Sequence, residues 1–412
     1  MVKGVPISGK VFDQREIDLM IQAVKDGWWT EGRFTTEFEQ KLAKKLKIKY
    51  AITTNSGSSA NLLAITALTS WRLGKKRLKK GDEIITLACG FPSTINPIIQ
   101  NQLIPVLIDL ELGTYVAKLA TIKGAIGPKT RAIFLPHTLG NPHAMTALVN
   151  LCRQHELWLI EDNCDALGSL YGGQWTGSFG HLSTCSFYPA HHITTGEGGA
   201  VFTNDPLLNK IVRSIRDWGR DCWCPTGCDN TCGIRFQWQL GDLPKGYDHK
   251  YTYSEIGYNL KFTDIQAALG VAQLGKLSKF IKIRRENFSY YLQSLARYQK
   301  YFILPRPTRN SLPSWFGFLI TIKDGSPFSR NDLVTFLNQN HIGTRPLFAG
   351  NIIRQPYFKN YKFKYRSVGS LENSDKVMND CFWIGVYPGV SKAARRYVIA
   401  TFDKFIKQYA GN

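Results

Sequence analysis

Two adjacent histidines, His191 and His192, occupy the segment SFYPAHHITTGEGGAVF at residues 186–202. Histidine is the side chain best suited to moving a proton near neutral pH. No lysine occurs between Lys129 and Lys210, so this part of the chain offers no amine that could form an imine with a carbonyl compound. The pattern predicts proton transfer by histidine without a covalent imine, unless the two rings merely pack in a loop.

Two further segments carry groups suited to a phosphorylated aromatic ligand. Residues 55–61, NSGSSAN, stand where a predicted strand ends and a helix begins. Backbone N–H groups at such a position can hold a phosphate. Residues 159–168, LIEDNCDALG, place Glu161 and Asp162 at the end of an apolar run. A buried carboxylate there could pair with a protonated pyridine nitrogen, although Ser and Asp are also common helix caps.

Four of the nine cysteines lie in the segment DCWCPTGCDNTC at residues 221–232. An odd number of cysteines in a large chain without secretion signals favours metal-binding or catalytic thiolates over a disulfide framework. The local spacing suits a structural zinc about as well as an iron–sulfur cluster. The other cysteines outside LIEDNCDALG stand singly in apolar contexts and are predicted core residues: Cys89, Cys152, Cys185 and Cys381.

Helical and strand patterns alternate through the first two thirds of the chain. Short apolar runs predict strands at residues 83–88, 105–109, 132–136, 157–161, 183–187 and 200–203. This alternation predicts the α/β class, with a mostly parallel sheet and ligands at the carboxyl ends of its strands. We expect a large domain over residues 1–278 and a smaller C-terminal α/β domain over residues 279–412.

The 412 residues include 52 lysines and arginines against 31 acidic residues, a formal net charge of +21. The excess is scattered, so it fits a lysine-rich surface as well as attraction to an anionic substrate. No basic strip with interleaved aromatic residues indicates nucleic-acid binding, and no long apolar run indicates a membrane span. The first residues lack the apolar core of a signal peptide, which predicts a cytoplasmic protein.

The three motifs, together with GYNLKFTDIQAALG at residues 257–270, resemble the pyridoxal-phosphate-dependent sugar aminotransferases of fold type I, the DegT/DnrJ/EryC1/StrS type. The resemblance covers almost the whole chain. Within this family the sequence is most similar to 3-dehydrases, which deoxygenate nucleotide-linked 4-keto-6-deoxyhexoses. Those enzymes hold pyridoxamine phosphate without a covalent bond, and a histidine replaces the lysine.

The resemblance implies roles for individual residues. His191 takes the place of the lysine as the catalytic residue, and Tyr188 assists proton movement, steadies a radical, or only packs. The residues implied in binding pyridoxamine phosphate (PMP) or pyridoxal phosphate (PLP) are Gly57, Ser58, Phe91, Asp162, Asp165 and Ser186. Those implied for the sugar diphosphate, which could equally be structural, lie in TRPLFAGNIIRQPYF at residues 344–358 and are Arg345, Asn351 and Arg354.

The cysteine spacing is similar to that of the iron–sulfur 3-dehydrases that act on CDP-linked 4-keto-6-deoxyglucose. The intervals from Cys164 to Cys222, Cys224 and Cys232 contain 57, 1 and 7 residues. The resemblance implies that these four thiolates hold a [2Fe-2S] cluster close to the cofactor. Cys228 could replace Cys232 in that set, and zinc bound by the four clustered cysteines is the alternative.

The resemblance therefore implies C3 deoxygenation of a nucleotide-linked 4-keto-6-deoxyhexose. It also implies a homodimer and an NAD(P)H-dependent iron–sulfur flavin reductase, or a similar electron donor, as partner. A dehydrase without a cluster and a catalytically silent sugar-nucleotide-binding protein remain alternatives. An ordinary aminotransferase is disfavoured because the lysine is missing, and the sequence does not distinguish a CDP-, GDP- or dTDP-linked substrate.

Overall fold

Strands and helices alternate through the first two thirds of the computed structural model, which describes residues 4–410. The strands are β1 (Tyr50–Thr54), β2 (Glu83–Leu87), β3 (Ile104–Ile108), β4 (Thr130–Pro136), β5 (Trp158–Asp162), β6 (Leu170–Tyr171), β7 (Gln174–Trp175), β8 (Leu182–Ser186), β9 (Gly199–Thr203), β10 (Phe302–Ile303), β11 (Ser311–Leu312), β12 (Gly317–Ile322), β13 (Thr344–Arg345), β14 (Arg366–Val368) and β15 (Cys381–Gly385). The helices are α1 (Gln14–Lys25), α2 (Arg33–Leu46), α3 (Gly57–Ala67), α4 (Pro92–Gln100), α5 (Leu119–Ala125), α6 (Met145–Gln154), α7 (Pro206–Arg216), α8 (Asp264–Leu295), α9 (Arg330–Gln339), α10 (Pro356–Asn360), α11 (Glu372–Asp380) and α12 (Lys392–Ala410).

The main sheet has eight strands in the order β1-β9-β8-β5-β4-β2-β3-β14. Neighbours from β8 to β14 run parallel, whereas β9 runs antiparallel to both β1 and β8. The central strands are buried and apolar, as parallel strands covered by helices on both faces must be. This confirms the predicted α/β class with a mostly parallel sheet.

Six strands of this sheet (β2, β3, β4, β5, β8 and β9) are the ones that the apolar runs predicted, with ends that differ by only a residue or two. The four singly placed cysteines, Cys89, Cys152, Cys185 and Cys381, are buried, which confirms them as core residues. Within residues 4–410, no helix is both long enough and apolar enough to cross a bilayer.

Helix α8 connects the main sheet to a second, antiparallel sheet of order β10-β12-β15-β13. Its first half packs with α1 and α2, and its second half joins the core of the smaller sheet through Phe288 and Leu295. The predicted domain boundary after residue 278 falls inside this helix, and β14 joins the main sheet from the C-terminal part of the chain. The division into two domains stays a prediction.

Asp264, the first residue of α8, also caps the start of α2. Its buried carboxylate accepts hydrogen bonds from the backbone N–H groups of Gly32, Phe34 and Thr35 and from the Thr35 hydroxyl, at 2.7–3.1 Å. A negative charge at a helix N-terminus is favourable, and these bonds satisfy donors that the helix itself cannot. One carboxylate therefore ties the start of α2 to the start of α8.

We expect Asp264→Ala to lower the free energy of unfolding by about 3 kcal/mol, because the change leaves several buried donors without an acceptor. Urea unfolding followed by circular dichroism measures the effect as a lower midpoint. Glu286→Ala, at an exposed position of the same helix, is the matched control and should leave the midpoint almost unchanged. Equal midpoints for both variants would show that the cap contributes little.

Candidate active site

A cavity of about 870 Å³ opens at the carboxyl ends of β4, β5 and β8, beside the first turns of α3 and α4. This is where ligands bind in open α/β sheets. Most of the residues singled out from the sequence line this cavity: Gly57, Ser58, Phe91, Asp162, Cys164, Asp165, Ser186, Tyr188, His191 and Arg345. The fold thus brings together segments that lie far apart in the chain.

Asp162 ends β5 as a buried carboxylate in the cavity wall. Its Oδ2 accepts hydrogen bonds from Asn61 Nδ2 at 3.0 Å and Thr94 Oγ1 at 2.7 Å. Its Oδ1 accepts one from the backbone N–H of Cys164 at 3.2 Å. Thr184 on β8 donates to Asn61 Oδ1 at 2.6 Å and so fixes the amide. The carboxylate is held in one orientation, as a partner for a protonated ring nitrogen must be.

Helix α3 begins at the cavity with a cradle of small residues. The Ser56 hydroxyl caps the helix by accepting from the backbone N–H of Ser59 at 3.0 Å. Gly57 approaches Ser186 so closely that a Cβ at position 57 would lie 2.4 Å from the Cβ of Ser186. Only glycine fits there, and the helix N-terminus favours an anion. The cradle fits the phosphate of the cofactor that the resemblance implies.

The two adjacent histidines point in different directions. His191 lines the cavity, with Nδ1 3.5 Å from Oδ1 of Asp165 and its ring centre 5.2 Å from that of Phe316. His192 lies away from it, buried, and its Nε2 is 2.8 Å from the backbone carbonyl of Ser314. His191 is therefore the histidine available to a ligand, and His192 belongs to the supporting structure.

The surroundings of His191 set its protonation state. Burial, assisted by the positive charge of Arg284, lowers the pKa of His191 to about 4. Arg284 also donates to the backbone carbonyl of His191 at 3.0 Å. Burial and the negative charge of Asp162 raise the pKa of Asp165 to about 8. At neutral pH the pair therefore consists of a neutral imidazole and a protonated carboxyl group.

Two aromatic rings stand at the cavity with much of their surface uncovered. Phe91 is 52% exposed and Tyr188 is 51% exposed, although both line the cavity. The Phe91 ring meets Phe348 edge-on, with centres 6.0 Å apart. An uncovered ring in a cavity offers a face for stacking against a flat ligand. This is the position that the resemblance implies for Phe91 beside a pyridine ring.

The three residues predicted for the sugar diphosphate are separated in the structure. Arg345, on β13, lines the cavity. Arg354 is exposed and forms two hydrogen bonds with Asp375, at 2.9 and 2.7 Å. Asn351 is buried and donates to the same carboxylate at 2.8 Å. Asn351 and Arg354 therefore stabilise one another through Asp375, and neither is among the residues that line the cavity.

Sequence reasoning missed the residues that support the site. Asn61 lies inside the NSGSSAN segment and Thr94 lies three residues after Phe91, but nothing local indicates that both donate to Asp162. The feature that could have indicated these two residues is a polar side chain on an otherwise apolar helix face. Arg284 and Phe316, which flank His191, lie in parts of the chain without a recognisable motif.

Within residues 4–410, the structure gathers only part of the predicted metal-ligand set. The ligand atoms of Cys222, Cys224 and His249 all lie within 4.8 Å of one another, and Cys232 Sγ is 3.5 Å from His249 Nε2. Cys164 does not belong to this group and instead lines the cavity beside Asp162. Burial, followed by the charge of Asp162, raises the pKa of the Cys164 thiol well above its ordinary value.

In the cofactor-free protein, we expect His191 to stay neutral until the pH falls to about 4. Histidine-selective NMR through a pH titration measures this, and His191→Asn assigns the resonance. The pKa of histidine in an unfolded chain is about 6.5, which is higher than the pKa of His191 in the folded protein. The contribution of His191 to the free energy of unfolding should therefore fall as the pH drops from about 6.5 to about 4. If His191 titrated with the midpoint of histidine in a free peptide, burial and Arg284 would not lower its pKa as we expect.

Two relatives among the known proteins are similar to almost the whole of this chain. RfbH, a lipopolysaccharide biosynthesis protein of Salmonella typhimurium, is 55% identical over 401 residues, which cover 97% of this chain and 91% of the relative. The dTDP-4-dehydro-2,6-dideoxy-D-glucose 3-dehydratase of Saccharopolyspora spinosa is 50% identical over 399 residues, which cover 97% of this chain and 86% of that enzyme.

The fold is also shared with a solved structure that contains PLP. The Escherichia coli GDP-4-keto-6-deoxy-D-mannose-3-dehydratase with bound hydrated PLP superposes with a TM-score of 0.87 at 28% identity, over 96% of this chain and 98% of that chain. This similarity confirms the fold type I architecture of PLP-dependent transferases. Residues 11–403 match the family model of the same aminotransferases that the motifs resemble. The chain belongs to the DegT/DnrJ/EryC1/StrS aminotransferase family.

Proposed function

We propose that this protein removes the C3 hydroxyl group of a nucleotide-linked 4-keto-6-deoxyhexose, using pyridoxamine phosphate and a [2Fe-2S] cluster. The observation that carries the proposal is His191, which stands in a cavity with a carboxylate and a phosphate cradle, where no lysine is among the lining residues of the described range 4–410. The names of the relatives support it, since they include two 3-dehydratases and a lipopolysaccharide biosynthesis protein. We also propose that the protein is a biosynthetic enzyme of the cytoplasm.

Different residues of the cavity would bind different parts of the cofactor. Gly57, Ser58 and Ser186 bind the phosphate, and Asp162 keeps a ring nitrogen protonated through its fixed carboxylate. When bound, pyridoxamine phosphate supplies an amine that condenses with the ketone and a ring that accepts electron density. Phe91 would cover one face of the ring, and Asp165 would lie near the other; both residues line the cavity.

His191 moves the proton that dehydration requires. The imidazole is neutral at pH 7, so it can accept a proton from a ligand in the cavity. Its Nδ1 is buried and lies towards Asp165, which leaves Nε2 to face the ligand. The neighbouring carboxyl group of Asp165 is protonated and can hold the imidazole in place. Tyr188 lines the same cavity and assists the proton movement.

Loss of the hydroxyl group is redox-neutral, whereas completing the deoxygenation needs two electrons. In this proposal Cys164, Cys222, Cys224 and Cys232 supply the cluster ligands, and an NAD(P)H-dependent iron–sulfur flavin reductase or a similar donor supplies the electrons. Arg345, which lines the cavity, would contact the substrate diphosphate. The surplus of positive charge on the chain favours the approach of an anionic nucleotide sugar.

The enzyme acts as a homodimer in this proposal. Residues 218–256 expose several large apolar side chains, as a surface covered by a second copy would. These residues are Trp218, Trp223, Phe236, Tyr247, Tyr251, Tyr253 and Ile256.

A second candidate function is a 3-dehydratase without a cluster. The observation that favours it is the separation of Cys164 from the other predicted metal ligands.

Protein purified without oxygen, loaded with pyridoxamine phosphate and given a chemical reductant should form a 3-deoxy product from a CDP-, dTDP- or GDP-linked 4-keto-6-deoxyhexose. His191→Lys should abolish that product and instead form a covalent PLP adduct that borohydride traps. His191→Asn, the matched control, should bind the cofactor without an adduct and lose at least about 100-fold in dehydration rate. Unimpaired deoxygenation by either variant would remove His191 from the mechanism.

Asp162→Asn should weaken the binding of pyridoxamine phosphate by roughly 10- to 100-fold, because an amide cannot form the charged hydrogen bond to a protonated ring nitrogen. Fluorescence titration measures the binding, and exchange of the C4′ proton with solvent measures proton removal. Asp18→Asn, at an exposed surface position, is the control. Normal proton exchange in the Asp162 variant would show that this carboxylate has another role.

A further inference from the structure

Arg284 lies on the buried face of α8 and is only 1% exposed. Among the described residues, its hydrogen bonds all go to backbone carbonyl oxygens and none goes to a carboxylate. Nη1 donates to Trp315 and Phe316 at 3.2 Å each, and Nη2 donates to His191 at 3.0 Å and to Ala190 at 3.5 Å. A buried cation without a carboxylate partner is costly, which indicates that this position requires an arginine.

The guanidinium group joins two segments that meet at the cavity. The first is a turn closed by the hydrogen bond from the backbone N–H of His191 to the carbonyl of Tyr188, at 2.9 Å. The second leads into β12 and carries Phe316, which lines the cavity. Arginine presents its donors in a rigid planar fork, so that one side chain can hold both segments at once.

The same two segments also contact each other through their rings. The ring centre of His191 is 5.2 Å from that of Phe316. The backbone N–H of Phe316 donates to the carbonyl of Leu139 at 2.9 Å, which fixes this segment from another side. The guanidinium carbon of Arg284 is 5.8 Å from the centre of the Phe316 ring. The imidazole therefore packs against a ring whose backbone the same arginine holds.

We propose that Arg284 is a positioning residue for His191. By holding the carbonyls of both segments, it sets the direction from which the imidazole enters the cavity. Arg284 is not among the described residues that line the cavity, so it acts through His191 and not by contact with a ligand. The consequence for dehydration rests on the proposed function, whereas the placement of side chain 191 does not.

The adjacent arginine provides a matched control. Arg285 also donates to backbone carbonyls, through Nε to Pro313 at 2.9 Å and through Nη2 to Leu312 at 3.0 Å and Gly168 at 3.2 Å. None of these acceptors belongs to the two segments that Arg284 joins. Arg285→Gln therefore removes a similar set of structural hydrogen bonds and leaves the histidine turn held.

The first measurement needs no dehydration. His191→Lys is combined with Arg284→Gln, Arg284→Lys or Arg285→Gln, and formation of the borohydride-trapped adduct is followed at saturating PLP. We expect the adduct to form at least about 10-fold more slowly with Arg284→Gln than in His191→Lys alone, because a displaced side chain reaches the aldehyde less often. Arg285→Gln should leave the rate almost unchanged. Arg284→Lys should fall between them, since one ammonium group can hold only one of the two segments.

The second measurement uses the cofactor-free protein. Histidine-selective NMR should show magnetisation transfer between the rings of His191 and Phe316 in the parent protein and in Arg285→Gln, and none in Arg284→Gln. In the complete reaction, Arg284→Gln should lower kcat for C4′ proton exchange by roughly 10- to 100-fold. KM and the affinity for pyridoxamine phosphate should change by no more than about twofold, since the residues that bind the ligands are intact.

Each outcome decides one of the two proposals. Equal adduct rates and equal ring contacts in Arg284→Gln and Arg285→Gln would overturn the positioning role. Loss of PLP binding by Arg284→Gln, in step with the slower adduct, would overturn it too, because the arginine would then only support the fold. The expected adduct rates and ring contacts in a protein that forms no 3-deoxy product would remove the proposed function and leave the positioning role. If Arg284→Gln fails to fold, Arg284→Lys decides, and values equal to those of Arg285→Gln would overturn the proposal.

Discussion

The buried carboxylate of Asp162 is the point on which the site depends. An ionised carboxylate in a dry environment is costly unless hydrogen bonds compensate for the lost water. Here the compensation comes from α3 through Asn61, from α4 through Thr94, and from the backbone just beyond β5. Donors from two helix starts therefore meet one carboxylate at the end of one strand, in the wall of the cavity.

The neighbouring carboxylate, Glu161, supports the fold, whereas Asp162 lines the cavity. The oxygens of Glu161 accept hydrogen bonds from the backbone N–H groups of Gly177, Phe179 and Gly180. Its Oε2 also lies 3.0 Å from Nε2 of His137, and Glu161 is not among the residues that line the cavity. Successive residues of a strand face opposite sides of the sheet. Two adjacent acidic residues thus have different tasks, as do the two adjacent histidines, and the chain order alone does not say which member of each pair meets the ligand.

Much of the fold could be predicted because buried parallel strands are short, continuous apolar runs, which stand out between polar helices. The location of the site followed from the same pattern, since polar residues come just after β5 and β8. What could not be predicted depends on contacts distant in sequence. Asn61 and Asp162 are 101 residues apart, and Arg354 is held by an aspartate 21 residues away. His249 lies in an irregular segment, 27 residues from Cys222, without any periodic signal.

Strand β14 has a consequence for how the chain can be divided. It lies at one edge of the main sheet, where residues 366–368 pair with β3. A shortened chain that ended near residue 278 would uncover the hydrogen-bonding edge of β3, an apolar strand of sequence IPVLI. An open apolar edge is a template for intermolecular strand pairing and amyloid-like association. The last third of the chain therefore protects the first two thirds from self-association, in addition to forming its own sheet.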